Sequence, residues 1–139
     1  MREAMFDKQS VGQNLLNTKC TIYQEIAKIA EVVKKTEELR FGRMYFRQIG
    51  DGTHFGLPFG ISYTLAFSRV LYGSEVLVAY NVSDKARSDC VIIESTYHQP
   101  GDTLKFLYGP SGGVIVQIAP DSSLFVQLNL SPRQFVILS

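Results

Sequence analysis

"VLVAYNVSDKARSDCVII", Val76 to Ile93, consists of two aliphatic runs joined by a polar stretch with Asp84, Lys85, Arg87 and Asp89. Side chains alternate along a strand. In the first run Val76, Val78 and Tyr80 therefore face one way, and Leu77 and Ala79 the other. In the second run Val91 and Ile93 oppose Cys90 and Ile92. Strands that are apolar on both faces are covered on both faces. One cover would be a second sheet, and the other a helix or a further domain. The polar stretch between the runs reads as a hairpin turn. Asp, Ser and Asn bond nearby backbone amides in turns, and the charges of Asp84, Lys85, Arg87 and Asp89 are expected to be solvated there.

The same period continues on both sides. "ISYTLAF" sets Ile61, Tyr63, Leu65 and Phe67 against Ser62, Thr64 and Ala66. "VIVQI" aligns Val114, Val116 and Ile118, and "LFVQLNL" aligns Leu124, Val126, Leu128 and Leu130. These residues are the expected core. Turn-forming segments separate the runs: "QPGD", "GPSGG", "PDSS", "SPR" and the longer "GDGTHFGLPFG", which reads as a flexible connection. The strands expected are 40–49, 61–70, 75–82, 89–96, 103–108, 113–119, 123–130 and 133–138. The chain is thus mainly β: an antiparallel, Greek-key-like β-sandwich of about eight strands, preceded by one amphipathic α-helix.

That helix lies in "TKCTIYQEIAKIAEVVKKTEELR", where Ile22, Ile26, Ile29 and Val33 recur at helical spacing and form a contact face. It is expected to end near Thr36 to Glu38. Its apolar stripe needs a surface. The alternatives are the outer face of its own sheet near Leu77, Ala79 and Ile92, the same helix of a second copy, which would give a homodimer, or a helix only partly formed behind a disordered stretch from residue 1 to about 20; the first is favoured and the second comes next. The organisation expected is residues 1–38 as loop and helix, and residues 39–139 as an all-β domain.

Composition narrows the function. A net charge of +1 argues against a nucleic-acid or anionic-membrane partner. No apolar run has the length of a membrane span. "MREAMFDKQSVG" lacks the apolar core of a signal peptide, so a cytoplasmic setting is expected. Cys20 and Cys90 stand beside apolar residues and read as buried free thiols. His54 and His98 lie far apart with no ligand partner at metal spacing, so no metal site is expected. No phosphate-binding loop, dinucleotide fingerprint or nucleophile elbow occurs, so no cofactor and no catalytic residue is assigned. "RFGRMYFR" interleaves Arg40, Arg43 and Arg47 with Phe41, Tyr45 and Phe46; arginines in an apolar strand are expected to pair with carboxylates across a domain boundary. Tyr72, Tyr97 and Tyr108 lie near strand ends and are the candidates for stacking on a sugar. With no tryptophan in the chain, no tight oligosaccharide site is expected.

"YQEIAKIAEVVK", "LRFGRMYFRQI", "LAFSRVLYGSEVLVAYNVS" and "FVQLNLSPRQFVIL" follow one another in an order that resembles the C-terminal end of α-amylase-family enzymes, glycoside hydrolase family 13. The resemblance runs from about Arg2 to Leu138. It implies that "REAMFD" connects to, and "IYQEIAKIAEVV" forms, the last helix of a catalytic (β/α)8 barrel. From Leu39 onward the chain would be the C-terminal β domain. The family's catalytic aspartates and glutamate lie on earlier barrel strands, and no position here matches them. The chain is therefore expected to be a hydrolase fragment beginning at Met1, an engineered piece or a truncated reading frame, with no catalysis of its own. Its partner would be the barrel of the same parent chain, and its role would be to cover and stabilise that barrel. The alternative is a module that binds α-glucans such as starch or glycogen.

Overall fold

The computed structural model describes residues 18–60 and 63–139. The chain divides into two compact units, Met1–Lys35 and Thr36–Ser139. The expected core residue Ile61 and the connection "REAMFD" lie outside the described residues.

In the first unit, helix α1 spans Thr21–Lys35. The Gln24 amide donates to the Cys20 carbonyl at 3.0 Å and closes its first turn. Lys28 and Glu25 pair at 2.6 Å on its surface. Lys34 and Lys35 occupy the last turn, where the partial negative charge of exposed carbonyls favours cations. Cys20 is a free thiol that is half-buried rather than buried.

The second unit opens with a short helix, α2, Glu37–Phe41. Part of the strand expected over 40–49 is thus helical. Thr36 adopts an extended backbone (φ −112°, ψ 106°) and separates the two helices. Gly42 ends α2 by donating its amide to the Glu38 carbonyl at 2.8 Å. A Cβ on Gly42 would lie 2.5 Å from that oxygen and 2.9 Å from the Val70 carbonyl oxygen. Only glycine permits this close turn into the sheet.

Ten strands follow among the described residues: β1 Arg43–Phe46, β2 Ile49–Gly50, β3 Phe55–Gly56, β4 Thr64–Leu71, β5 Ser74–Asn81, β6 Arg87–Ile92, β7 Thr103–Tyr108, β8 Gly113–Ile118, β9 Leu124–Leu130 and β10 Phe135–Leu138. The two beyond the expected number are β2 and β3, which turn "GDGTHFG" into a small hairpin. Asp51 holds its turn by accepting the amides of Thr53 and His54, each at 2.8 Å. All pairings are antiparallel, in the order β1-β4-β5-β10-β7-β8-β9-β6-β2-β3. The order curls so that its two halves face each other. Ala66, Leu77, Ala79, Leu104, Val136 and Leu138 of one half meet Val91, Val116, Val126, Leu128 and Leu130 of the other in one buried cluster. Each such aliphatic side chain contributes about 1.5–3 kcal/mol by leaving water.

Several expectations change. Val76–Ile93 is not a hairpin: β5 pairs with β4 and β10, whereas β6 pairs with β9 and β2. The polar stretch crosses from one half of the sheet to the other. Asp84 and Lys85 are exposed as expected, but Arg87 and Asp89 belong to β6 and Asp89 is buried. Asn81, fully buried, anchors the crossing. Its side-chain amide donates to the carbonyls of Lys85 (2.8 Å) and Ser131 (2.9 Å), and its carbonyl accepts the Ser83 amide at 2.9 Å.

The face assigned to β4 is also reversed. Thr64, Ala66 and Ser68 point into the core, while Leu65 and Phe67 on the other face are half-buried. The register explains this. Ala66 sits opposite Ala79 and Ser68 opposite Leu77, so small residues of β4 make room for the facing half. Leu77 and Ala79 consequently lie in the inter-sheet core, not on the outer face. The outer face of β5 carries Val76 and Val78, which are buried as well. On β8, Val116 is buried and Val114, half-buried, packs against the same core as expected, whereas Ile118 is exposed.

Candidate functional site

The inner face of β4 and β5 is apolar in its middle and polar at both ends. At one end, Glu75 is buried with its side chain inaccessible to solvent. Four segments converge on it. The Arg47 guanidinium donates to Oε1 at 2.7 Å, and the Ser68 hydroxyl donates to the same oxygen. Oε2 accepts the Glu94 amide at 2.9 Å and lies 3.0 Å from His98 Nε2. Arg47 also reaches Glu94 Oε2 at 3.6 Å. Burial pushes the Glu75 carboxyl up, but the bonds from His98, Ser68, the Glu94 amide and Arg47 outweigh it and hold it below the ordinary value. Both carboxylate oxygens are occupied by donors. Glu75 is therefore a tie between chain segments and has no lone pair directed at a substrate.

At the other end, Asp89 receives two bonds from Arg87, at 2.7 and 2.8 Å, and one from the Thr64 hydroxyl at 2.5 Å. Burial again pushes the carboxyl up, and Arg87 and Thr64 bring it below its ordinary value. Neither cluster was anticipated. Arg47 pairs with carboxylates inside its own domain, not across a boundary. Glu94 and His98, which look isolated along the chain, belong to the Glu75 cluster.

This buried tie supports the surface next to it. Glu94 to His98 form a turn, with the Tyr97 amide donating to the Glu94 carbonyl at 3.2 Å. Since Glu94 and His98 are both tied to Glu75, Tyr97 between them is held in place. The Tyr97 ring lies against the β4–β5 turn: a Cβ on Gly73 would be 3.9 Å from Tyr97 Cε1. Tyr72 and Gly73 are the two central residues of that turn, at φ 48° and 84°. Positive φ at both is what a two-residue hairpin turn requires, and Asn-Gly is the relaxed choice. Tyrosine in this left-handed region costs about 1–2 kcal/mol. The residue is 96% exposed.

Phe41, Arg43, Tyr45, Tyr72 and Tyr97 line one open cleft of about 350 Å³ over this turn. Phe41 comes from α2, with the Arg40 guanidinium 4.9 Å from its ring centroid. Arg43 and Tyr45 share one face of β1 and lie opposite Val70 and Ser68. Of the three tyrosines singled out for sugar stacking, Tyr72 and Tyr97 thus come together. Tyr108 lies elsewhere, at the end of β7, with its ring 5.8 Å from that of Phe135. Phe41, Arg43 and Tyr45 were visible in "RFGRMYFR" as a basic-aromatic run. Their meeting with Tyr72 required the β1–β4 register.

On α1, Ile22 and Ile26 are exposed and Ile29 and Val33 half-buried. Among the described residues no three His, Cys, Asp or Glu side chains are placed to hold a metal ion, and no helix is long and apolar enough to cross a membrane.

No protein-family model matches the chain, and no curated protein does. Solved structures do match. A crystal structure of the Nostoc punctiforme debranching enzyme soaked with acarbose matches over 91% of this chain, at 21% identity and a TM-score of 0.61. The native form of that enzyme matches over 85% of this chain, at 19% identity and a TM-score of 0.59. A further structure of it matches over 84%, at 20% identity and a TM-score of 0.56. The chain spans only 21–22% of the length of these structures. It therefore has the fold of about a fifth of that debranching enzyme.

Proposed function

We propose that this chain is the non-catalytic C-terminal β domain of an α-amylase-like glycoside hydrolase, and that it covers and stabilises the catalytic barrel of a parent acting on α-glucans. The observation that carries this proposal is the unequal coverage of the match: nearly all of this chain, but only 21% of the debranching enzyme. The local chemistry supports it. Among the described residues the two buried carboxylates, Glu75 and Asp89, have both oxygens bonded by donors within the domain and serve the fold. A glycosidase instead needs a pair of carboxyl groups flanking a space that a glycosidic bond can enter.

The test has two parts. The purified chain is expected to release no sugar from starch, pullulan or a small α-glucoside. The transcript upstream of Met1 is expected to encode, in frame, a (β/α)8 barrel. Hydrolysis abolished by a substitution within this chain, or an upstream frame that encodes an unrelated fold, would sink the proposal.

A further inference from the structure

We infer that the cleft formed by Phe41, Arg43, Tyr45, Tyr72 and Tyr97 binds a neutral oligosaccharide, and that the occupant is an α-linked glucan chain. The choice of α-glucan over other sugars rests on the function proposed above; the site itself rests on geometry. The first observation is Tyr72. Folding alone gives no reason for an aromatic residue at 96% exposure on a backbone at φ 48°, where glycine or asparagine would be relaxed. Strain of this kind persists where surrounding structure imposes it, and it collects at binding sites. The second is rigidity. Tyr97 is fixed by a turn whose two ends are tied to the buried Glu75, so the ring facing the hairpin turn is preorganised. The third is the mixed chemistry of the walls. Its lining residues include one phenyl ring, three phenols and the Arg43 guanidinium. Pyranose rings present an apolar C–H face and a rim of hydroxyls, and this cleft offers partners for both.

Other occupants fit less well. A single-stranded nucleic acid would also stack on these rings, but the chain's net charge of +1 gives a polyanion little attraction. A purely apolar partner helix would leave the hydroxyls and the guanidinium unpaired. The cleft volume of about 350 Å³ is within the range of small-molecule sites. Its openness to solvent suits a chain that passes across it.

The test is an NMR titration of the full chain with maltoheptaose and, separately, with cellohexaose. Saturable shifts at Tyr72 and Tyr97 with maltoheptaose are expected. Tyr97→Ala should weaken binding on the order of tenfold, the loss of one stacked ring. Tyr72→Gly supplies the control for folding: it should raise the melting temperature by relaxing the turn while weakening binding by a similar factor. Tyr108→Ala should leave binding unchanged. Absence of saturable binding, or binding that survives both Tyr72→Gly and Tyr97→Ala, overturns the site, even if the upstream frame encodes the barrel. Equal affinity for cellohexaose overturns the α-glucan assignment and leaves the oligosaccharide cleft standing.

Discussion

The two ends of the β4–β5 inner face solve one problem in different ways. Each buries a carboxylate, Glu75 at one end and Asp89 at the other. Asp89 is satisfied mainly from its own strand: Arg87, two residues away on the same face of β6, grips both oxygens. Glu75 draws its four partners from β4, the link after β1, the Glu94 amide and the following turn. The local solution is self-contained and partly wet, since 28% of the Arg87 side chain remains accessible. The distributed solution keeps its carboxylate fully out of water and fastens the β4–β5 pair to the link after β1 and to the Glu94–His98 turn. A carboxylate bonded by neighbours in sequence stabilises a strand, whereas one bonded by distant segments positions a surface. The Glu75 end is the one that carries the aromatic cleft.

Substitutions can break or sharpen this contrast. Glu75→Ala should have the largest effect, about 3–5 kcal/mol in urea unfolding, because the largely buried Arg47, His98 and Ser68 side chains would lose their shared acceptor and Arg47 would keep only the longer contact to Glu94. Leu128→Ala, across from Asp89 and 1% exposed, should cost about 2–5 kcal/mol through the cavity it leaves. Asp89→Ala should cost less than either, about 1–3 kcal/mol, since Arg87 can turn to water. Equal losses for Glu75→Ala and Asp89→Ala would erase the distinction between the two ends.

Acid should separate the ends as well. A carboxyl held below its ordinary value in the folded chain adds stability above that value and loses it as the pH falls. The Glu75 contribution should be complete above about pH 4.5 and decline below it, and that of Asp89 should begin to decline below about pH 3.8. Glu75→Gln should therefore flatten the upper part of the acid-unfolding curve, measured by denaturant midpoint against pH. If Asp89→Asn flattened that part instead, the assignment of the ends would be wrong. The smallest effect expected is that of Thr64→Val, about 0.5–1.5 kcal/mol, from one lost hydroxyl bond to Asp89.

Much of the fold was legible because period-two runs and turn residues mark strands locally. β4, β5, β7, β8, β9 and β10 fall within a few residues of where alternation puts them. Pairing partners were not legible. β5 and β6 look like a hairpin because nothing in "NVSDKARSD" says that its ends enter different halves of the sheet. The facing of β4 was not legible for a physical reason: alternation by bulk points Leu65 and Phe67 inward, whereas the close-packed layers require Ala66 and Ser68 there. Arg87 and Asp89, at strand spacing, could have been recognised as a pair. Glu75 could not, because its partners range from Arg47 to His98 and meet only after folding. Tyr72 and Tyr97 were legible as candidates, but the cleft they share was not.

The Tyr72–Gly73 turn has a consequence for how this chain can drift. Tyrosine codons differ from asparagine codons by a single base, and asparagine is the residue that relaxes a left-handed backbone at that position. Random change therefore has a short, stabilising exit from Tyr72. A natural variant that carries asparagine there would mark a copy in which the ring has lost its use, and a survey of position 72 alone would sort working clefts from abandoned ones.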